Sequence, residues 1–223
     1  MRQTAGSQAP QVRPAPPAPT DAMAAPGAAE PPYFAFLGPV RAWSGGCPLL
    51  TGSPRQRAVL AMLALRAGQE VSGVELVDGL YGEGAHAEDP AGWAAEEVRR
   101  EVERLRRVLG GPPWSDAPSP LLHRTGDGYL LDITPDRVDG IAFERLVGAA
   151  HALRLGSPAD SADLLERAFA LWRGSPLGGV PGPFAAGERI RLQAVHQVAT
   201  DLRRTCGTTP RRPSPRGTWP GEV

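Results

Sequence analysis

The chain has 223 residues, enough to bury one core or two, and its 24 basic and 24 acidic side chains cancel. No whole-chain field therefore favours a polyanionic partner, and any basic footprint has to be local. Two widely separated cysteines exclude a disulfide framework or a close-spaced zinc site, and no apolar run approaches membrane-spanning length. The expectation is a soluble cytoplasmic protein without a membrane partner.

Every basic residue is arginine, a bias that a GC-rich genome explains without reference to function. Residues 1–32, through "PAPPAPTDAMAAPGAAEPP", hold almost no large apolar side chains and cannot bury enough surface to offset their ordering entropy. They read as disordered. "YFAFLGPVRAWSGGCPLL" alternates short apolar runs with Gly and Pro, the pattern of two or three short strands in tight turns.

"SPRQRAVLAMLALRAGQEV" predicts a helix with Ser53 as N-cap, Pro54 at the first position and an apolar face of Val59, Leu60, Leu63 and Leu65, ended by Gly68. A second helix follows, with Ser72 and Glu75 at capping-box spacing and Val74, Leu76, Val77 and Leu80 turned inward. A third, longer one is expected to start at Asp89 and Pro90 and to stop at Gly110. "LLHRTGDGYLLDI" then reads as a hairpin around Gly-Asp-Gly. Small sheet, helix, helix, longer helix, hairpin is the order of a winged helix-turn-helix.

Beyond Pro135 three helical patterns follow, the first two joined by Gly156-Ser157-Pro158 into an antiparallel pair. Ala149, Ala150, Ala168 and Ala170 are small enough to let the paired helices approach closely. The pattern looks like the start of a helical-repeat array. The fold class expected is an α+β winged helix followed by an all-α, tetratricopeptide-like helical domain. Residues 205–223 read as a second disordered segment.

The third helix carries the functional question. Val98, Val102, Leu105 and Leu109 make one narrow apolar stripe. Opposite it lie Arg100, Arg104 and Arg107, preceded by Trp93 and Glu96, with Arg99 and Arg106 on one flank. A helix that reads DNA needs this division between a buried stripe and projecting guanidiniums. The same residues also fit a solvated helix, because Glu96 precedes Arg100 and Glu103 precedes Arg107 by four. Arg55 and Arg57 in the first turn of the earlier helix, and His123 and Arg124 before the hairpin tip, extend the basic set.

"FLGPVRAW", "GSPRQRAVLAMLAL", "VERLRRVLG", "GYLL", "FERLV" and "LLERAFALWRGSPLGGV", in this order, resemble the Streptomyces antibiotic regulatory protein family of transcriptional activators. The resemblance runs over about residues 34 to 204. It implies an OmpR-type winged helix over 33–134 and part of a bacterial transcriptional activation domain over 137–204. It also implies binding to direct repeats in promoter DNA upstream of antibiotic biosynthetic clusters, contact with RNA polymerase holoenzyme, and a homodimer on DNA. Arg55 and Arg57 match the family's "PRQRALLA" block, Arg104, Leu105, Arg106 and Arg107 its "SRLRRALG" block, and Gly128 and Tyr129 its "PGYLL" wing. Glu103 departs from the family's usual Ser, and Glu101 from a neutral residue. The family runs on for several helices past the position of Arg203, so a truncated activation domain is expected. The alternative is a helical protein-interaction module that has lost DNA binding.

No catalytic constellation, metal-ligand spacing or cofactor motif emerges. His86, His123, His151 and His196 share no metal-ligand spacing, and "GEGAHAED" lacks the Lys-Ser/Thr of a phosphate-binding loop.

Overall fold

The computed structural model describes residues 31–85, 87–88, 92–110 and 121–207. The sequence expectations for the remainder of 1–32 and 205–223, and for His86, Asp89 and Pro90, lie outside them. Pro32, within the first of those segments, is buried, and the last helix runs on through Thr205 to Gly207.

Three antiparallel strands open the fold: β1 (Tyr33–Ala35), β2 (Arg41–Ser44) and β3 (Cys47–Leu49), in that order across the sheet. Helix α1 (Pro54–Ala64) starts as its sequence predicts. The Ser53 hydroxyl accepts from the Gln56 N–H at 3.1 Å, and Pro54 occupies a position whose N–H would have no helical partner. Helix α2 (Gly73–Tyr81) carries the expected capping box, with Glu75 accepting from the Ser72 N–H at 2.9 Å while Ser72 accepts from the Glu75 N–H. Val74 is the exception to the predicted inward face. It is 45% exposed, because it sits beside the capped end rather than over the core.

Helix α3 (Trp93–Leu109) begins later than predicted, with Gly92 as N-cap in the left-handed conformation at φ 68°. Strands β5 (Leu122–Thr125) and β6 (Gly128–Leu131) form the expected hairpin, with Thr125 paired to Gly128 across a two-residue loop. A strand the sequence reading assigned to no sheet, β4 (Glu70–Ser72), pairs with β6 and makes this a three-stranded sheet of order β4-β6-β5. Gly128 permits that pairing, since a Cβ there would come within 2.6 Å of the Val71 carbonyl.

Helices α4 (Asp139–Leu153) and α5 (Pro158–Ala170) pack against each other, and the long α6 (Pro183–Gly207) lies against both and also against α1 and α2. Of the four small residues, Ala150 and Ala168 lie between the helices, whereas Ala149 and Ala170 face outward. The architecture is thus a sheet-and-helix unit in winged helix-turn-helix order, followed by a helical unit. Each has its own core, one built on α1, α2, α3 and the sheets, the other on α4, α5 and α6.

The cores exchange residues. Leu37, from the chain just after β1, is buried among the helices, whereas Leu177, Val180 and Ala185 belong to the first core. The seam between them is held by main-chain hydrogen bonds. Leu177 N–H donates to the Phe36 carbonyl at 2.7 Å and Arg173 N–H to that of Leu37 at 2.7 Å. On the other side, the carboxylate of Asp139 accepts from the N–H groups of Phe36 and Leu37 at 2.6 and 3.1 Å, and from Arg173 Nη2 at 2.5 Å. Asp139 is fully buried. Burial pushes its carboxyl above the usual carboxylate range, against the pull of the Phe36 N–H and the Arg173 guanidinium. Leu177 takes a positive φ of 52°, unfavourable for a branched side chain, and does so with that side chain wholly buried.

Candidate nucleic-acid interface

Helix α3 is positioned by its apolar stripe. Ala94, Val98, Val102, Leu105 and Leu109 are buried, and each fully buried Val or Leu contributes about 1.5–3 kcal/mol. That burial fixes which way the other side of the helix faces. The groove between this side and the β5–β6 hairpin gathers Arg99, Arg100, Arg104, Arg107 and, from the wing, Arg124. Arg99 and Arg124 also line a second cleft, which reaches the start of α2 at Ser72 and Gly73. His123, next to Arg124, is exposed.

The arginines are paired along the helix at a spacing of three rather than the predicted four. Arg99 meets Glu96 at 2.6 Å, Arg100 meets Glu97 at 3.4 Å, Arg104 meets Glu101 at 2.8 Å and Arg106 meets Glu103 at 2.9 Å. Arg107 is exposed and has no ion pair among the described residues. Two of the pairs differ from the rest. Arg106 is mostly covered, because its Nε donates to the Leu122 carbonyl of β5 at 3.2 Å and so ties α3 to the wing. Glu101 is only 2% exposed. It stands within the buried side of the helix, so it is no phosphate-facing carboxylate, and it holds Arg104 from below.

A second cluster lies at the start of α3. Trp93 is 54% exposed and meets Tyr81 of α2 edge-on, ring centroids 5.2 Å apart. Arg55 of α1 sits 5.9 Å from the Tyr81 ring centroid and 3.8 Å from Glu97. Arg57 turns back on its own loop, with Nη1 3.4 Å from the Gly52 carbonyl and Nε buried without a hydrogen bond among the described residues. Tyr81, which links Arg55 to Trp93, was not singled out from the sequence, since nothing in its spacing marks it apart from an ordinary amphipathic position. Burial pushes its hydroxyl above the usual tyrosine range, with Arg55 opposing.

Of the predicted residues, Arg99, Arg100, Arg104, Arg106, Arg107 and Arg124 thus line one groove, Arg55 and Trp93 share a cluster where α1, α2 and α3 meet, and Arg57 joins neither. Among the described residues no helix is long and apolar enough to cross a membrane, and no three His, Cys, Asp or Glu side chains converge as metal ligands.

The chain is similar to several known regulatory proteins. A family model described as the bacterial transcriptional activator domain matches residues 138–211. The regulatory protein AfsR of Streptomyces coelicolor is 41% identical over 160 residues, which cover 71% of this chain and 15% of that protein. The transcriptional regulator RedD of the same organism is 33% identical over 149 residues, covering 67% of this chain and 39% of RedD. The solved structure of Mycobacterium tuberculosis EmbR in complex with a low-affinity phosphopeptide superposes with a TM-score of 0.60 at 27% identity, over 80% of this chain and 47% of that one. The chain spans less than half the length of each of these three proteins.

Proposed function

The chain belongs to the Streptomyces antibiotic regulatory protein family of transcriptional regulators, and from that premise we propose that it binds double-stranded promoter DNA. In this reading residues 33–134 are the DNA-binding unit, with α3 in the major groove and the β5–β6 hairpin as wing. Residues 137–204 are the helical activation unit, α4 and α5 forming one repeat-like pair, which contacts RNA polymerase holoenzyme. The targets are direct repeats at antibiotic-cluster promoters, occupied by two copies.

The observation that carries the proposal is the groove itself. Four arginines of α3 and one of the wing converge on a face whose pose is fixed by a buried apolar stripe. Arg99, Arg100, Arg104, Arg107 and Arg124 are the contacts, with Arg55 and Trp93 at the edge of the footprint. Arg106 and Arg57 act from within, Arg106 by holding the wing and Arg57 by closing the loop before α1.

The protein-interaction reading draws on a different observation, the exposure of Ile190 and Val198 on α6. Fluorescence anisotropy of the full chain with the promoter duplex flanking its own gene, beside a scrambled duplex, separates the two. DNA reading gives preference for the promoter and a log–log salt slope of about 0.9 per phosphate neutralised. No preference, with no binding at low salt, overturns it in favour of a protein partner.

A further inference from the structure

Glu103 is the side chain that the arginine footprint leaves unexplained. It lies on the side of α3 opposite Val98, Val102 and Leu105, is 55% exposed, and lines the groove among Arg100, Arg104 and Arg107. A carboxylate in that place repels phosphate, so a helix that needed only affinity would be better without it.

Nor is Glu103 a loose surface residue. Its Oε1 accepts from Arg106 Nη1 at 2.9 Å, and Arg106 Nε is anchored on the Leu122 carbonyl of the wing at 3.2 Å. The relay from wing backbone through Arg106 fixes one carboxylate oxygen. The other has no hydrogen bond among the described residues. Arg100 and Arg107 beside it offset the repulsion from nearby phosphates.

A fixed acceptor with no donor of its own matches one base edge in the major groove. Guanine offers acceptors at O6 and N7, and thymine an acceptor at O4, all of which a carboxylate repels. Adenine offers its N6 amino group beside the N7 acceptor, a pair suited to an amide. Cytosine offers the N4 amino donor alone. We propose that Glu103 determines specificity by accepting a hydrogen bond from cytosine N4, with Arg106 as its positioning residue. The proposal rests on the reading of α3 as the major-groove helix.

The test is selection from a pool of duplexes with a randomised core, using the full chain, followed by sequencing of the retained fraction. The wild-type protein should retain sequences with one position dominated by cytosine. Glu103→Gln should move that position toward adenine, because an amide pairs with N6 and N7 together, and Glu103→Ala should flatten it. The expected change in discrimination there is roughly tenfold, the scale of one good base-edge pair. Arg106→Leu should blur the same position and spare the others, and should that variant fail to fold, the two Glu103 variants carry the test alone. If both Glu103 variants bind every sequence more tightly with an unchanged profile, Glu103 only repels phosphate and the proposal is overturned. A wild-type chain that retains no sequence over the pool overturns the DNA reading itself.

Discussion

At the seam between the two cores Arg173 meets the fully buried Asp139; on α3 the pairs Glu96–Arg99 and Glu97–Arg100 meet at the edge of the solvent. The residue types are the same and the consequences are opposite. An exposed pair contributes about 0–1 kcal/mol, so its arginine can be exchanged for a phosphate contact at small cost. A buried pair that loses one member leaves an uncompensated charge, which costs about 3–5 kcal/mol. Burial therefore decides which arginines hold the molecule together and which are free to hold something else. In the proposed reading the surface pairs Glu96–Arg99 and Glu97–Arg100 are therefore weak enough to be exchanged for phosphate contacts.

The largest expected effect is at the seam. Asp139→Ala removes the acceptor of two buried N–H groups and the partner of Arg173 at once. The loss should be about 3–5 kcal/mol, read by chemical denaturation as a lower midpoint. A loss below about 1 kcal/mol would mean that the seam is as expendable as the α3 face, and the comparison would break.

The next effect separates affinity from stability on α3. Arg104→Ala and Arg107→Ala should each weaken promoter binding and lower the salt slope by about 1, whereas Arg154→Ala should leave both unchanged. Arg154 lies at the end of α4, where its Nη1 donates to the His151 carbonyl. The two α3 variants should differ in stability. Arg107 has no ion pair among the described residues, and its removal should move stability by less than about 0.5 kcal/mol. Removing Arg104 leaves the buried Glu101 carboxylate without its hydrogen bond, which should cost about 1–3 kcal/mol. Equal binding losses at Arg104, Arg107 and Arg154 would sink the docking geometry.

What the sequence made legible follows the same division between local and long-range causes. Ser53 with Pro54, the Ser72–Glu75 box and the hairpin turn are written within a few residues of one another, and each stands where the spacing predicts. The apolar stripe of α3 is likewise periodic and local. Strand β4 was not legible, because three residues become a strand only through pairing with β6, more than fifty positions away. The inward turn of Glu101 was hidden for a related reason. Its position falls at the margin of the stripe, and only the packing of α3 against α1 and α2 decides that the margin is covered. The Asp139 seam joins residues about a hundred apart and has no signature in spacing at all.

The smallest effect lies between the two regimes. Glu75 pairs with Arg66 near the surface, yet it also accepts from the Ser72 backbone as half of a capping box. The Arg66 hydrogen bond first, and the Ser72 N–H second, hold its carboxyl down from the ordinary 4.5 to about 2. A lowered folded value means that the unfolded chain takes up the proton first as pH falls. The stabilisation is therefore complete above pH 4.5 and is lost as pH falls toward about 2. With both side chains more than a third exposed, solvent screening keeps this contribution below about 1 kcal/mol. Glu75→Gln should thus show a smaller drop in thermal midpoint between pH 6 and pH 3 than the wild type. If the two drops are equal, the cap adds nothing to the pair. An exposed carboxylate bonded to backbone would then be as weak as the pairs along α3, leaving burial as the only boundary between structural and exchangeable charge.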